Sequence, residues 1–93
     1  MEQFKAKNAK ITVVTKSGRM LKFEASEAKS DSGYCRDIYV GIDKITDKGN
    51  REHFQTYDCR YVMGYRFDAF LKECFEDWYG ENLQSLEIEL VEE

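Results

Sequence analysis

Residues 67–79 read FDAFLKECFEDWY, and the order of apolar and charged side chains in this stretch decides the fold. Its apolar residues recur at intervals of three and four, which predicts an α-helix with one apolar face. Asp68 suits the first turn of this helix and Gly80 suits its C-cap. We expect seven side chains to join the core, with Trp78 contributing most: Phe67, Phe70, Leu71, Cys74, Phe75, Trp78 and Tyr79.

Strand patterns precede the helix. Residues 10–15 are β-branched after Lys10, and residues 20–24 include the apolar Met20, Leu21 and Phe23. These two runs flank Ser17-Gly18, which predicts a hairpin with a two-residue turn. That turn would put two pairs on the core face, Val14 with Leu21 and Thr12 with Phe23. Residues 34–45 and 51–57 flank the turn-rich segment 47–50 and predict a second hairpin.

The remaining segments complete the expected topology. Leu86, Ile88 and Leu90 alternate with glutamates and predict a last strand. Residues 26–33 are polar and predict a loop, while residues 57–66 favour neither strand nor loop. The order β-β-β-β-α-β predicts an α+β fold, an antiparallel sheet with one amphipathic helix packed on one face. Its 93 residues form a single domain, 1–93, with a loose lead-in at 1–9 and an acidic tail at 91–93.

Composition excludes several classes of protein. The chain is 34% charged and 14% aromatic and contains no proline, which is inconsistent with disorder, collagen or a proline-rich linker. No apolar run approaches a signal peptide or a membrane span, so we expect a cytoplasmic protein without membrane contact. The three cysteines, Cys35, Cys59 and Cys74, lack C-x-x-C spacing and are interpreted as free thiols.

Catalysis and cofactor binding are not indicated. His53 is the only histidine, and a straight strand would separate it from Cys59 by about 20 Å, too far for a nucleophilic pair. The aspartates are scattered without metal-site spacing, and no phosphate-binding glycine motif is present. We therefore expect a non-enzymatic protein with no cofactor and no metal.

Charge is distributed unevenly along the chain. The net charge is −4, yet residues 67–93 carry nine carboxylates and one lysine. Such a segment either forms a solvated helix face and tail or attracts cationic partners and repels nucleic acid. Six of the carboxylates are expected to form one block that a basic, nucleic-acid-handling protein accepts in place of phosphates: Glu73, Glu76, Asp77, Glu81, Glu87 and Glu89.

A cluster of tyrosines and arginines adjoins the acidic segment. It comprises Tyr57, Arg60, Tyr61, Tyr65 and Arg66. Tyrosine and arginine are enriched at interface hot spots. The alternative is that the tyrosines fill the gap between sheet and helix with their hydroxyls in water. We predict that this cluster forms one partner-binding site together with Glu73, Glu76, Asp77 and Glu81.

A second candidate surface is basic. Lys10, Lys16, Arg19 and Lys22 lie on the first hairpin, and Lys16 and Arg19 are at its tip. Lysines on a hairpin bind phosphate backbones in some proteins and serve solubility and edge protection in others. An acidic pI of about 5.1 and the lack of a nucleic-acid motif favour the acidic surface over this one.

The sequence thus predicts a small protein-binding domain, an acidic inhibitor or adaptor that docks on a basic surface of a larger protein. Small acidic proteins without motifs are typical of phages and mobile elements, and anti-CRISPR and anti-restriction proteins are examples. This is an analogy of character and not of sequence. The alternative is a nucleic-acid-binding regulator that uses the basic hairpin, and a homodimer that pairs through a strand edge stays open.

Overall fold

The computed structural model describes residues 3–31, 36–59 and 64–91, which form the predicted α+β fold. The five strands lie in one antiparallel sheet, in the order β4-β3-β2-β1-β5. The elements in chain order are β1 (Gln3–Thr15), β2 (Met20–Asp31), β3 (Arg36–Ile45), β4 (Arg51–Asp58), α1 (Phe67–Tyr79), a 3₁₀ turn (Gly80–Asn82) and β5 (Leu83–Val91).

Helix α1 connects the two edges of the sheet. Strands β4 and β5 lie at opposite edges and run in the same direction, because every neighbouring pair is antiparallel. The chain must therefore cross one face of the sheet between them, and α1 covers that face. No helix within the described residues has the length and apolar character needed to cross a membrane.

The first hairpin has a register one residue away from the predicted one. The predicted pairs Val14 with Leu21 and Thr12 with Phe23 are wrong. In the structure the core-facing pairs are Ile11 with Phe23 and Val13 with Leu21. Because side chains alternate between the two faces of a strand, this shift puts Ile11 and Val13 in the core in place of Thr12 and Val14.

The cause is a turn of three residues and not two. The Thr15 N–H donates to the Arg19 carbonyl at 2.9 Å, and Gly18 ends the turn at a φ of 88°. This left-handed conformation favours glycine and belongs to the three-residue hairpin. The same turn recurs between β3 and β4, after Thr46, with Gly49 at a φ of 82°. The second hairpin itself is confirmed.

Two segments expected to lack structure pair with each other. The predicted loose lead-in at 1–9 is wrong from Gln3 onward, because β1 begins there. The predicted loop at 26–33 is wrong as far as Asp31, because β2 continues to that residue. The two segments pair from Gln3 opposite Asp31 to Asn8 opposite Ser26. Backbone hydrogen bonds extend the hairpin although the side chains are mostly polar. Residues 1–2 and 32–33 lie outside the described residues.

The C-terminal strand is also confirmed, but the predicted acidic tail at 91–93 is wrong for its first residue. Val91 is the last residue of β5 and not part of the tail, and residues 92–93 lie outside the described residues. Gly80 is the C-cap of α1 and Asp68 lies in its first turn, as the sequence predicts.

The core lies between α1 and the central strands. The aromatic rings of Phe23 and Phe75 meet edge to face, with centroids 4.9 Å apart. Trp78 is only half-buried, whereas Phe75 is fully buried, so Phe75 and not Trp78 is the largest buried side chain of the helix. Among the described residues, those that are apolar and buried are Ala9, Ile11, Val13, Phe23, Ala25, Val40, Ile42, Cys59, Phe67, Leu71 and Phe75.

The substitution Phe75→Ala tests the importance of this contact. We expect it to lower the free energy of unfolding by about 3–5 kcal/mol, because it removes a fully buried ring and leaves a cavity beside Phe23. Met20→Ala is the control, since Met20 is 63% exposed and should change stability by less than about 0.5 kcal/mol. Urea denaturation followed by Trp78 fluorescence measures both values. Similar losses in the two variants would contradict the assignment of the core.

Candidate protein-binding surface

Four carboxylates line the solvent side of α1 and the 3₁₀ turn that follows it. They are Glu73, Glu76, Asp77 and Glu81, and all four are exposed. Residues three and four apart are neighbours on a helix surface, so the three helical members share one side, and Glu81 continues it past the helix end. We call these four residues the acidic helix surface.

The acidic helix surface is electrostatically unfavourable for the helix that carries it. Glu73 and Asp77 are like charges at i, i+4 spacing, which opposes helix formation. The carboxylates of Glu76 and Asp77 lie in the last turn, where the helix dipole favours cations, and no basic residue lies in that turn. None of the four carboxylates pairs with a cationic side chain in the part of the chain that the structure describes.

Glu87 and Glu89 do not extend this surface, so the expected single block of six carboxylates is wrong. By register they lie opposite Thr12 and Lys10 of β1, on the sheet face that α1 leaves open. Along β1, Thr12 and Lys10 alternate with Ile11 and Val13, which face the core. The sheet therefore separates the glutamates of β5 from the acidic helix surface.

Tyr57 lies beside the acidic helix surface. It projects from β4 and is half-buried, with its ring centroid 5.4 Å from that of Phe70 and 6.1 Å from that of Trp78. Burial is the main cause that raises the pKa of the Tyr57 hydroxyl, and Cys74 and Asp77 raise it further. The structure thus places a partly exposed aromatic group next to the carboxylates of the last helical turns.

Tyr65 lies under the start of α1 and has a different role. It is half-buried, and its hydroxyl donates a short hydrogen bond to Oε2 of Glu27, whose side chain is buried on β2. Burial, and then the hydrogen bond to Glu27, raises the pKa of Tyr65. Its hydroxyl therefore contacts protein and not only water. Arg66 is exposed at the N-cap of α1, at the opposite end from Glu81.

The structure thus divides the predicted cluster. Tyr57 adjoins the acidic helix surface, Tyr65 packs below the helix, and Arg66 lies at the far end of the helix. Arg60 and Tyr61 lie outside the described residues.

Sequence analysis missed the buried carboxylate of Glu27, because residues 26–33 were interpreted as a loop. One signal was present. Glu27 continues the alternation of Phe23 and Ala25, so a longer β2 places it on the core face. A buried carboxylate requires hydrogen-bond donors, and Tyr65 supplies one of them.

The basic residues of the first hairpin occupy two separate places. Lys16 and Arg19 are exposed at the turn, as expected. Lys10 and Lys22 lie on the open sheet face, away from the helix. Lys10 has a carboxylate directly opposite on each neighbouring strand, Glu24 on β2 and Glu89 on β5. The open face therefore carries interleaved charges of both signs.

The remaining reactive groups are dispersed. His53 is exposed on β4, with Nδ1 3.9 Å from Oδ1 of Asp43. Cys59 is buried, and burial followed by the charges of Asp58 and Glu27 raises its pKa. Burial also raises the pKa of Cys74 to about 11. Thiols with raised pKa values are protonated at neutral pH and are poor nucleophiles.

No group of three or more metal-ligating side chains is close enough to hold a metal ion among residues 3–31, 36–59 and 64–91. Cys59 and Cys74 are free thiols, and Cys35 lies outside the described residues.

The hydrogen bond between Tyr65 and Glu27 predicts the effect of Tyr65→Phe. Removing the hydroxyl takes a donor from a buried carboxylate, and we expect a loss of about 1–3 kcal/mol in the free energy of unfolding. Tyr39→Phe removes a hydroxyl from an exposed side chain and should change stability by less than about 0.5 kcal/mol. Equal urea midpoints for the two variants would show that the bond does not stabilise the fold.

The raised pKa of Cys74 predicts its reactivity with iodoacetamide. The folded-state pKa of about 11 exceeds the ordinary value of 9.0, so the reaction rate should keep rising about tenfold per pH unit from pH 8 to pH 10. In urea-unfolded protein, the reaction rate of the same cysteine should level off at a pH near its ordinary pKa. Peptide-resolved mass spectrometry measures both profiles. By linkage, the stabilisation from a neutral Cys74 is complete below pH 9.0 and is lost as pH rises toward 11. Levelling near pH 9 in the folded protein would contradict the burial effect.

No protein-family model, curated protein or solved structure matches this chain. The candidate surface therefore stands on the geometry and charge of its own residues.

Proposed function

We propose that this protein is a non-enzymatic binding domain, an acidic inhibitor or adaptor that docks its acidic helix surface on a basic surface of a larger protein. The observation that carries the proposal is the set of uncompensated carboxylates at the C-terminal end of α1. Their partner would supply lysine or arginine side chains that otherwise contact nucleic acid.

The stability cost of this charge arrangement supports a binding role. Each acid in the last turn opposes the helix dipole, and neighbouring acids repel each other. Lysine or arginine at Asp77 would stabilise α1 on both counts, because Glu73 lies four residues before it. Sequences that break a local rule of stability often do so at functional sites. A cationic partner would remove both unfavourable terms on binding.

Aromatic groups beside the carboxylates add area to the proposed interface. Tyr57 and Trp78 are half-buried, and Phe54, which contacts Trp78 with centroids 5.0 Å apart, is 36% exposed. These side chains are already held by packing in the free protein, so docking on them immobilises few rotamers. Tryptophan and tyrosine are among the residues most enriched at the hot spots of protein interfaces.

A function against host nucleic-acid enzymes fits the size and charge of the chain. A carboxylate accepts hydrogen bonds from lysine and arginine much as a phosphate does, so an acidic helix can occupy a site built for nucleic acid. Inhibitors of phages and mobile elements, such as anti-CRISPR and anti-restriction proteins, share this character. The support is analogy alone, because a fold does not determine a function.

Neutralising the acidic helix surface tests the proposal. The variant Glu73→Gln/Glu76→Gln/Asp77→Asn should raise stability by about 0.3–1 kcal/mol for each acid removed from the helix end. The same variant should lose a stoichiometric protein partner that wild-type protein retains from nuclease-treated host lysate. The control Asp43→Asn/Asp47→Asn/Glu52→Gln makes the same charge change away from the helix and should retain that partner.

Two outcomes would contradict the proposal. If the folded helix variant binds the partner as wild type does, the acidic helix surface is not the interface. If nuclease removes all retained material, nucleic acid was the ligand, and the basic hairpin becomes the candidate site. In that case Lys16→Ala/Arg19→Ala should abolish retention, and binding should weaken steeply with salt.

A further inference from the structure

Strand β5 forms an open edge of the sheet. It pairs with β1 on one side only, so alternate residues direct their backbone N–H and C=O groups away from the sheet. No described strand pairs with the outer side. Such an edge is a template for another strand, and proteins that do not use it protect it with bulges, prolines, charged side chains or a covering element.

The two edges of the sheet differ in regularity. In β4 the ladder to β3 is interrupted in mid-strand, between Ile42 and Asp43, and the extra residue on β4 is Phe54. In β5 the irregularity lies at the start, so residues 85–91 pair without interruption with residues 8–14 of β1. Bulges protect an edge by twisting it. The β4 edge has this protection in its middle, and the β5 edge does not.

The helix side of β5 is apolar and incompletely covered. Leu86 and Ile88 face the core but are only half-buried, and Leu90 is 50% exposed. An open groove of about 430 Å³ lies between α1 and β5, with Lys72 and Glu76 on its helix side. The side chains of an added strand would cover this apolar row.

The open side of β5 is acidic. Glu87 and Glu89 are both exposed and point away from the helix. A strand added at the edge places its own side chains beside these two carboxylates, at the spacing of neighbouring strands. Opposite charges at such positions stabilise a pair of strands and like charges destabilise it.

These charges select the occupant of the edge. A second copy of this chain pairing through β5 would bring Glu87 and Glu89 close to the same residues of its twin. A strand with lysine or arginine on the open side would pair its charges with Glu87 and Glu89. Aliphatic residues on its helix side would cover the apolar row of β5.

We propose that the β5 edge binds an extended segment of another protein in which aliphatic residues alternate with lysine or arginine. The segment adds a sixth strand to the sheet next to β5, its backbone pairing with the outer groups of that strand. Main-chain hydrogen bonds give affinity in this mode of recognition, and alternating side chains give specificity. The inference rests on the backbone edge, the apolar row and the two glutamates of β5; of the acidic helix surface, Glu76 lines the groove beside that row, and Glu73 and Asp77 do not.

Synthetic peptides test the proposal with the full chain. Three acetylated and amidated nonapeptides serve as probes, alternating lysine with valine, glutamate with valine, and lysine with glycine. The lysine–valine peptide should bind, and it should slow amide hydrogen exchange at alternate residues of β5 in the ¹⁵N-labelled protein. The glutamate–valine peptide should not bind, because its charges repel those of β5. The lysine–glycine peptide should bind at least about tenfold more weakly, since it has the charge without the aliphatic row or the strand propensity.

Charge reversal gives an independent check. The variant Glu87→Lys/Glu89→Lys should lose at least about tenfold in affinity for the lysine–valine peptide and should gain binding of the glutamate–valine peptide. The control Glu73→Gln/Asp77→Asn alters the acidic helix surface and should bind the lysine–valine peptide like wild type. This control also separates the two proposals, because it should still fail to retain the partner of the acidic helix surface.

Several results would overturn the inference. Equal binding of the lysine–glycine peptide, or slowed exchange elsewhere than in β5, would show a purely electrostatic contact. A concentration-dependent dimer of wild-type protein with protected β5 amides would make the second copy the occupant. The hydrogen-exchange result on wild-type protein decides the question even if the charge-reversal variant does not fold.

Discussion

The fold depends on the contact between one apolar helix face and one apolar sheet face. Phe75 of α1 meets Phe23 of β2 near the centre of this contact, and both rings are buried. A sheet of five strands with one apolar face cannot remain exposed to water, and α1 is the only α-helix among the described residues that can cover it. The position of the helix over the sheet then determines which parts of both remain accessible.

A single short helix leaves two boundaries of the apolar layer partly open. On the β4 side, Phe54, Tyr57 and Trp78 are packed together but not fully buried. On the β5 side, Leu86 and Ile88 also pack against the core but are only partly buried. The acidic helix surface lies along the helix between these two boundaries. Both proposed binding surfaces arise because one short helix does not cover the whole apolar sheet face. Each surface combines charged side chains with apolar area that the helix does not fully bury.

Charge on this protein is arranged against local stability at one place and for it at another. On the open sheet face, Lys10 lies between two carboxylates, and Arg51 contacts Glu24 at 2.5 Å. At the end of α1, acids accumulate where the helix dipole favours bases. The interleaved face is balanced and weakly charged, whereas the acidic helix surface is an uncompensated field. This contrast favours the acidic helix surface over the interior of the open sheet face as the surface that attracts a charged partner, whereas Glu87 and Glu89 act on a strand that pairs directly with β5.

The sequence by itself determined the helix, the order of the elements and the fold class. These features follow from periodicity in residues 67–79 and from alternation in the strands, and both are local properties of the chain. The free thiols of Cys59 and Cys74 and the acidic character of the C-terminal region follow from residue spacing and composition, which are also properties of the sequence alone.

Tertiary structure decided the register, the extent of the first hairpin and the grouping of the charges. A turn of three residues in place of two moved Ile11 and Val13 into the core, because the side chains of a strand alternate strictly. The polar start of β1 and the polar end of β2 pair with each other at the end of that hairpin away from the turn, and neither segment signals a strand alone. Glu87 and Glu89 are near the acidic helix surface in sequence but lie across the sheet from it, since the face on which a residue lies depends on its pairing with β1.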